Sequence, residues 1–164
     1  ENIRPLSKQA DTAICTALVR AGASVIHEAD SVTVGARPLQ AFEFDATQCP
    51  DLFPALAALA ASAEGTSVLR GTSRLLHKEC DRATAIRDEY GKLGIEVDLS
   101  EPDTMRIRGG AIRGSRVDSH GDHRMAMSLA VASLRAEGET IIADAECVAK
   151  SYPTFFDELE KLKQ

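Results

Sequence analysis

Apolar residues recur at three- and four-residue spacing in some stretches and in short extended runs in others, and the two patterns alternate along the chain. Ala13, Ile14, Ala17, Leu18 and Val19 make a first helical stripe, which Ser7 or Asp11 can start and Gly22 stops. Residues 24–27 and 31–34 read as strands, and residues 41–44 as a third that ends on Asp45. A loop with Cys49-Pro50 leads into an Ala- and Leu-rich helix over 51–63, closed by Gly65, and 66–69 is a strand. Then the order starts again. A helix over about 78–93 ends at Gly94, and strands are expected at 95–99, 105–107 and 115–117, the last running into Asp118. Asp122 can cap the next helix, whose first turn holds His123 and Arg124 and whose remaining positions are almost all apolar up to Leu134. Gly138 closes it, 140–142 is the last strand, and Phe155, Phe156, Leu159 and Leu162 form one face of a terminal helix over 154–162.

The recurrence is an internal repeat. Gly22 and Gly94 stand 72 residues apart, Asp45 and Asp118 73, Gly65 and Gly138 73, Asp51 and Asp122 71, and Lys78 and Lys150 72. Glycines end helices everywhere, so the Asp and Lys matches carry more weight, since they fall at strand ends and helix starts. The expected fold is a mixed α/β domain of two successive units, roughly 7–71 and 77–144. Helices as apolar as 51–63 and 125–134 need cover on more than one side, so they should run inside with the sheets outside them. The chain opens on a helix rather than a strand, which suggests a leading piece of a larger protein.

Composition narrows the class. The 164 residues are 44% hydrophobic and 27% charged but only 4% aromatic, with no Trp, so the core must be built from Ala, Val, Leu and Ile. A net charge of −6 argues against a nucleic-acid partner, although a local cationic pocket fits within it. Cys15, Cys49, Cys80 and Cys147 are widely spaced, without the pairing of a zinc site, and read as thiols in a reducing compartment. With no apolar run of about 20 residues and no signal-peptide core, no membrane partner is expected and the cytoplasm is the default.

Candidate chemistry sits at the junctions. Asp45 after a strand can be a turn former, and Lys150 before Pro153 a merely exposed cation. Lys78-Glu79-Cys80-Asp81-Arg82 can be a charged helix start, yet it puts Lys78 and Arg82 at i and i+4, where like charges repel unless an anion sits between them. His123 and Arg124 can be a solvated cap, or can aim at an anion with the helix dipole behind them. Together, four cations (Lys78, Arg82, Arg124, Lys150) and two carboxylates (Asp45, Glu79) occupy corresponding junctions of two units. If those converge, they make a site for a small polyanion with groups able to move protons. Gly109-Gly110 and Gly114 lack the spacing of a nucleotide-binding loop.

Three segments, Lys78-Glu-Cys-Asp-Arg82, Gly121-Asp-His-Arg-Met-Ala-Met127 and Cys147-Val-Ala-Lys-Ser-Tyr-Pro153, closely resemble signature segments of the enolpyruvylshikimate phosphate synthase family. Asp45 with Cys49-Pro-Asp-Leu-Phe-Pro54 resembles a fourth, and the resemblance runs from about Ser7 to the C-terminus. It implies two domains of repeated βαβαββ units, with this chain (1–164) most of the C-terminal one and the N-terminal domain absent. It implies transfer of the enolpyruvyl group of phosphoenolpyruvate to the 5-hydroxyl of shikimate 3-phosphate, releasing phosphate, without metal or cofactor. By matching motif, Asp45 resembles the carboxylate that binds the shikimate hydroxyls and takes a proton, and Glu79 the acid–base residue at the phosphoenolpyruvate methylene. Lys150 resembles the lysine that contacts phosphoenolpyruvate, Arg82 and Arg124 the pair gripping its carboxylate, and Lys78 and His123 flank the substrates. Leu76-His77 departs from many relatives before the Lys-Glu pair. With part of the cationic clamp on the absent domain, the chain alone is expected to fold but not to turn over. The competing expectations are a stand-alone anion-binding module and a transferase acting on another acceptor, such as a nucleotide sugar.

Overall fold

In the computed structural model, which describes residues 9–35 and 37–162, the two most apolar stretches become the inner helices. Pro50 opens a 3-10 turn, Pro50–Leu52, that runs into α2, Phe53–Ala61. Proline suits both starts because its missing N–H would be unpaired there anyway. Seven of the nine α2 residues are buried, among them Phe53 and Leu56 with no exposed surface. Its counterpart α4, His123–Ser133, is capped by Asp122, whose carboxylate accepts the Arg124 and Met125 N–H groups at 2.8 and 3.4 Å. The two helices pack on each other, buried at Leu56, Ala57, Met125 and Leu129. Each fully buried Leu or Phe contributes about 1.5–3 kcal/mol.

Sheets lie around this pair. The first unit contributes α1, Ile14–Arg20, the hairpin β1, Ser24–His27, with β2, Val32–Gly35, and the parallel pair β3, Glu43–Asp45, with β4, Gly65–Arg70. The second contributes α3, Arg82–Lys92, the hairpin β5, Glu96–Asp98, with β6, Thr104–Gly109, and the parallel pair β7, Arg116–Asp118, with β8, Ile141–Ala143. The hairpin of the second unit joins the parallel pair of the first in a four-stranded sheet, β3-β4-β6-β5. A final helix, α5, spans Phe155–Lys161.

The repeat is visible in the register. Glu43 pairs with Val68 and Arg116 with Ile141; from 43 to 116 and from 68 to 141 the step is 73 residues. The bridges Gln40 to Glu64 and Arg113 to Glu137 repeat the same step. At that step Asp122 corresponds to Cys49, since each caps its helical segment, and Asp51 corresponds to Arg124 rather than to Asp122.

One expected boundary moves. The helix expected from Lys78 begins four residues later at Arg82, because Asp81 caps it by accepting the Thr84 N–H and hydroxyl at 3.3 and 2.7 Å. Lys78 and Arg82 therefore do not share a helical face, and their closeness has another cause, described next.

Candidate functional site

The site is organised by a buried guanidinium. Arg82, the first residue of α3, has no side-chain exposure and meets three carboxylates. Its Nε donates to Asp122 Oδ2 at 2.6 Å, Nη1 to Asp51 Oδ1 at 2.7 Å and Nη2 to Glu79 Oε2 at 2.7 Å, with a longer Nη2 contact to Asp122 Oδ1 at 3.4 Å. A guanidinium has five N–H groups, and these contacts engage four of them. Burial of this kind is stable only because each charge is paired and hydrogen-bonded. Burial works against the charge on Arg82, but the hydrogen bonds it donates to Asp122 and Asp51 outweigh it and raise its pKa further.

Around that core lie the more accessible cations. Lys78 Nζ is 3.0 Å from Asp51 Oδ1, so the anion between Lys78 and Arg82 is the Asp51 carboxylate. Arg124 reaches the same carboxylate, Nη2 to Oδ2 at 3.6 Å, donates to the Asp51 carbonyl at 3.3 Å and lies 3.5 Å from Asp11. Lys150 ends the 3-10 turn Ala145–Lys150 and places Nζ 3.9 Å from Glu79 Oε1. Glu79 thus sits between a buried arginine and an exposed lysine. His123 is buried in the first turn of α4, with Nδ1 lacking a hydrogen-bond partner among the described residues.

The electrostatics follow from these contacts. Burial opposes the charge on Asp51, but hydrogen bonds from Lys78 and Arg82 and the charge of Arg124 prevail, holding its pKa at about 2. Asp122 is likewise lowered, with burial outweighed by Arg82 and by the helix N–H groups it caps. The Cys80 thiol, packed beside Asp122, is pushed up to about 11 by burial and that neighbouring charge, which disfavours the thiolate.

Six of the seven residues singled out in the sequence lie on this cluster or at the α4 start beside it: Lys78, Glu79, Arg82, His123, Arg124 and Lys150. Asp45 stands outside the ion-pair network. It is exposed at the end of β3 and accepts the Thr47 N–H at 2.9 Å, and hydrogen bonds from the Thr47 hydroxyl and N–H lower its pKa. Its loop is held on the other side by Arg74, whose Nη1 donates to the Thr47 carbonyl at 3.2 Å, and by Gly71. Gly71 has φ +104, and a Cβ there would come within 2.7 Å of Thr47 N. Sequence reasoning took Asp51 for a helix start and Asp122 for a cap alone. The signal that both do more is that Arg82, if buried, needs several acids.

The paired inner helices bring cations and carboxylates of two repeat units into one cluster of ion pairs, and the solved structures that share this α/β fold are enolpyruvyl transferases. Over 92% of its length the chain superposes on an EPSP synthase from Acinetobacter baumannii, with a TM-score of 0.79 at 32% identity, covering 38% of that chain. Over 93% it matches the enolpyruvyl transferase NikO from Streptomyces tendae, with a TM-score of 0.71 at 26% identity and 35% of that chain covered.

The family model for EPSP synthase (3-phosphoshikimate 1-carboxyvinyltransferase) matches residues 1–159, and the chain belongs to that family. A 3-phosphoshikimate 1-carboxyvinyltransferase from Methanocella arvoryzae is 45% identical over 158 residues, and one from Thermococcus kodakarensis 44% over 154. The chain spans 37% and 38% of the length of these two curated relatives, while they cover 95% and 94% of it.

Proposed function

We propose that this chain forms most of the C-terminal domain of a two-domain enzyme that moves the enolpyruvyl group of phosphoenolpyruvate onto the 5-hydroxyl of shikimate 3-phosphate, with release of phosphate. The observation that carries the reading is the setting of Glu79. One of its oxygens is tied to Arg82 at 2.7 Å and the other faces the exposed Lys150 at 3.9 Å, beside Lys78 and Arg124. A pure anion binder has no use for a carboxylate at that point, whereas proton transfer at the phosphoenolpyruvate methylene does. In this reading Arg124 and Lys150 grip the phosphoenolpyruvate anion, Lys78 and His123 flank the substrates, and Asp45 binds the shikimate hydroxyls and takes the proton of the attacking one. Arg82 fixes Glu79.

Among the described residues β2 and β8 each pair on one side only, which supports a larger protein. In the four-stranded sheet a second-unit hairpin covers a first-unit parallel pair. By the same rule β8 calls for a hairpin and β2 for a parallel pair, and one further unit would supply both. A cavity of about 530 Å³ between α1, α2 and α4, lined by Ile14, Leu18, Leu59, Val131 and Leu134, fits an apolar helix of such a unit. The chain alone is then inactive. Mixing it with the rest of the polypeptide, separately expressed, should restore phosphate release from phosphoenolpyruvate that depends on shikimate 3-phosphate, and Glu79→Gln or Lys150→Ala should abolish it. Restored turnover only with a nucleotide sugar as acceptor would favour the other transferase reading. No turnover, with anion binding retained, would favour the binding module.

A further inference from the structure

The cluster holds an anion of its own. Asp51 comes from the turn ahead of α2, in the first unit, and three cations of the second unit converge on its carboxylate. The contacts are graded: Arg82 at 2.7 Å, Lys78 at 3.0 Å and Arg124 at 3.6 Å, with side-chain exposures of 0%, 25% and 31%. The inner contact is short, charge-assisted and shielded from water. The outer two are longer, partly solvated and correspondingly weak. Without an anion among them Lys78 and Arg124 would repel each other and swing toward solvent.

We propose that Asp51 is the clamp's resident anion: in the unliganded protein it holds Lys78 and Arg124 together, and the substrate's anionic group takes both from it while Arg82 keeps it in place. The inference rests on the phosphoenolpyruvate reading above. Asp51 stays ionised through any working pH, so it competes with substrate at all times. It is a positioning residue with a cost, because it shapes the clamp beforehand and repels the anion that arrives. Asp11, 3.5 Å from Arg124, adds to that competition from the outside.

The sign of one substitution separates this from a plain structural role. Asp51→Asn keeps an oxygen for Arg82 Nη1 and leaves Arg82 its bonds to Asp122 and Glu79, but removes the competing charge. Calorimetric titration with phosphoenolpyruvate, of the chain mixed with the separately expressed rest of the polypeptide, should show Asp51→Asn binding about tenfold tighter than the unmutated chain. Equal or weaker binding by the variant, with the unmutated chain binding, overturns the resident-anion role and leaves the phosphoenolpyruvate reading intact. Binding by neither chain overturns both. Because the substitution also removes a partner of the buried Arg82, a second measurement uses the unmutated chain. In a nitrogen-15 spectrum the Arg124 Nε–H signal should shift with added phosphoenolpyruvate. An Arg124 signal that stays still contradicts the exchange.

Discussion

The starts of α2 and α4 occupy equivalent places in the two units and were built differently. In the first unit Cys49 stands at the cap without a side-chain hydrogen bond, followed by Pro50 and Asp51 in a 3-10 turn. In the second, Asp122 caps the helix through two N–H groups, followed by His123 and Arg124. At the 73-residue step Asp51 faces its own counterpart, Arg124, across the helix pair, and Arg135 likewise donates to the Ser62 carbonyl at 2.7 Å. The lesson is that repetition delivers the same backbone twice to one axis, and opposite charges at an equivalent position then make a site that neither unit has alone. Function arises from where the units differ.

That contrast can be broken hardest at Arg82. Arg82→Met leaves Asp51, Glu79 and Asp122 facing an apolar chain, and denaturant unfolding should show a loss of about 3–5 kcal/mol. The exposed Arg135→Met, which also removes a contact between the units, should change stability by no more than about 0.5 kcal/mol. If the two substitutions cost the same, the buried cluster is not what holds the units together. Next come the caps. Asp122→Ala removes both a cap and a partner of a buried charge and should cost about 3 kcal/mol, against about 1 kcal/mol for Cys49→Ala, which only trims a small buried side chain. Thermal melts of the pair would invert that order if the second unit were not the better anchored.

Acid should act on the same groups. Asp51 and Asp122 have folded-state pKa values below their ordinary 3.8, so the stability they contribute is complete above about pH 4. It is lost as pH falls from there toward about 2, where Asp51 titrates in the folded protein. Fluorescence- or circular-dichroism-detected unfolding should therefore steepen with acid over that window, and Asp51→Asn should flatten the slope. An unchanged slope would mean that Asp51 is no more ionised folded than unfolded. The smallest effect is the coupling between the counterparts themselves. A double-mutant cycle on Asp51→Asn and Arg124→Ala should give about 0.5 kcal/mol, as suits a long and partly exposed pair.

Much of this was legible in the residues. The two inner helices are apolar on nearly every face and could only be buried, and Asp122 announces its cap directly ahead of one of them. Lys78, Glu79, Arg82, Arg124 and Lys150 were legible as junction residues, and the network of ion pairs joins all five. Two things were not. Residues 78–81 carry helix-compatible side chains, so only the Asp81 hydrogen bonds to Thr84 reveal that the helix starts later. The role of Asp51 depends on a side-by-side placement of helices from two units, which local spacing does not encode. Aligning the Asp residues placed Asp51 opposite Asp122, two positions away from the step set by strand register.

If side chains distant in sequence form one pocket for a small anion, phosphoenolpyruvate should bind in it. A crystal structure of the chain with phosphoenolpyruvate bound tests it most directly. The ligand's anionic groups should lie against Arg124, Lys78 and Lys150 and its methylene toward Glu79, with Asp51 still on Arg82. Phosphoenolpyruvate bound away from these residues, with the ion pairs unchanged, would contradict it.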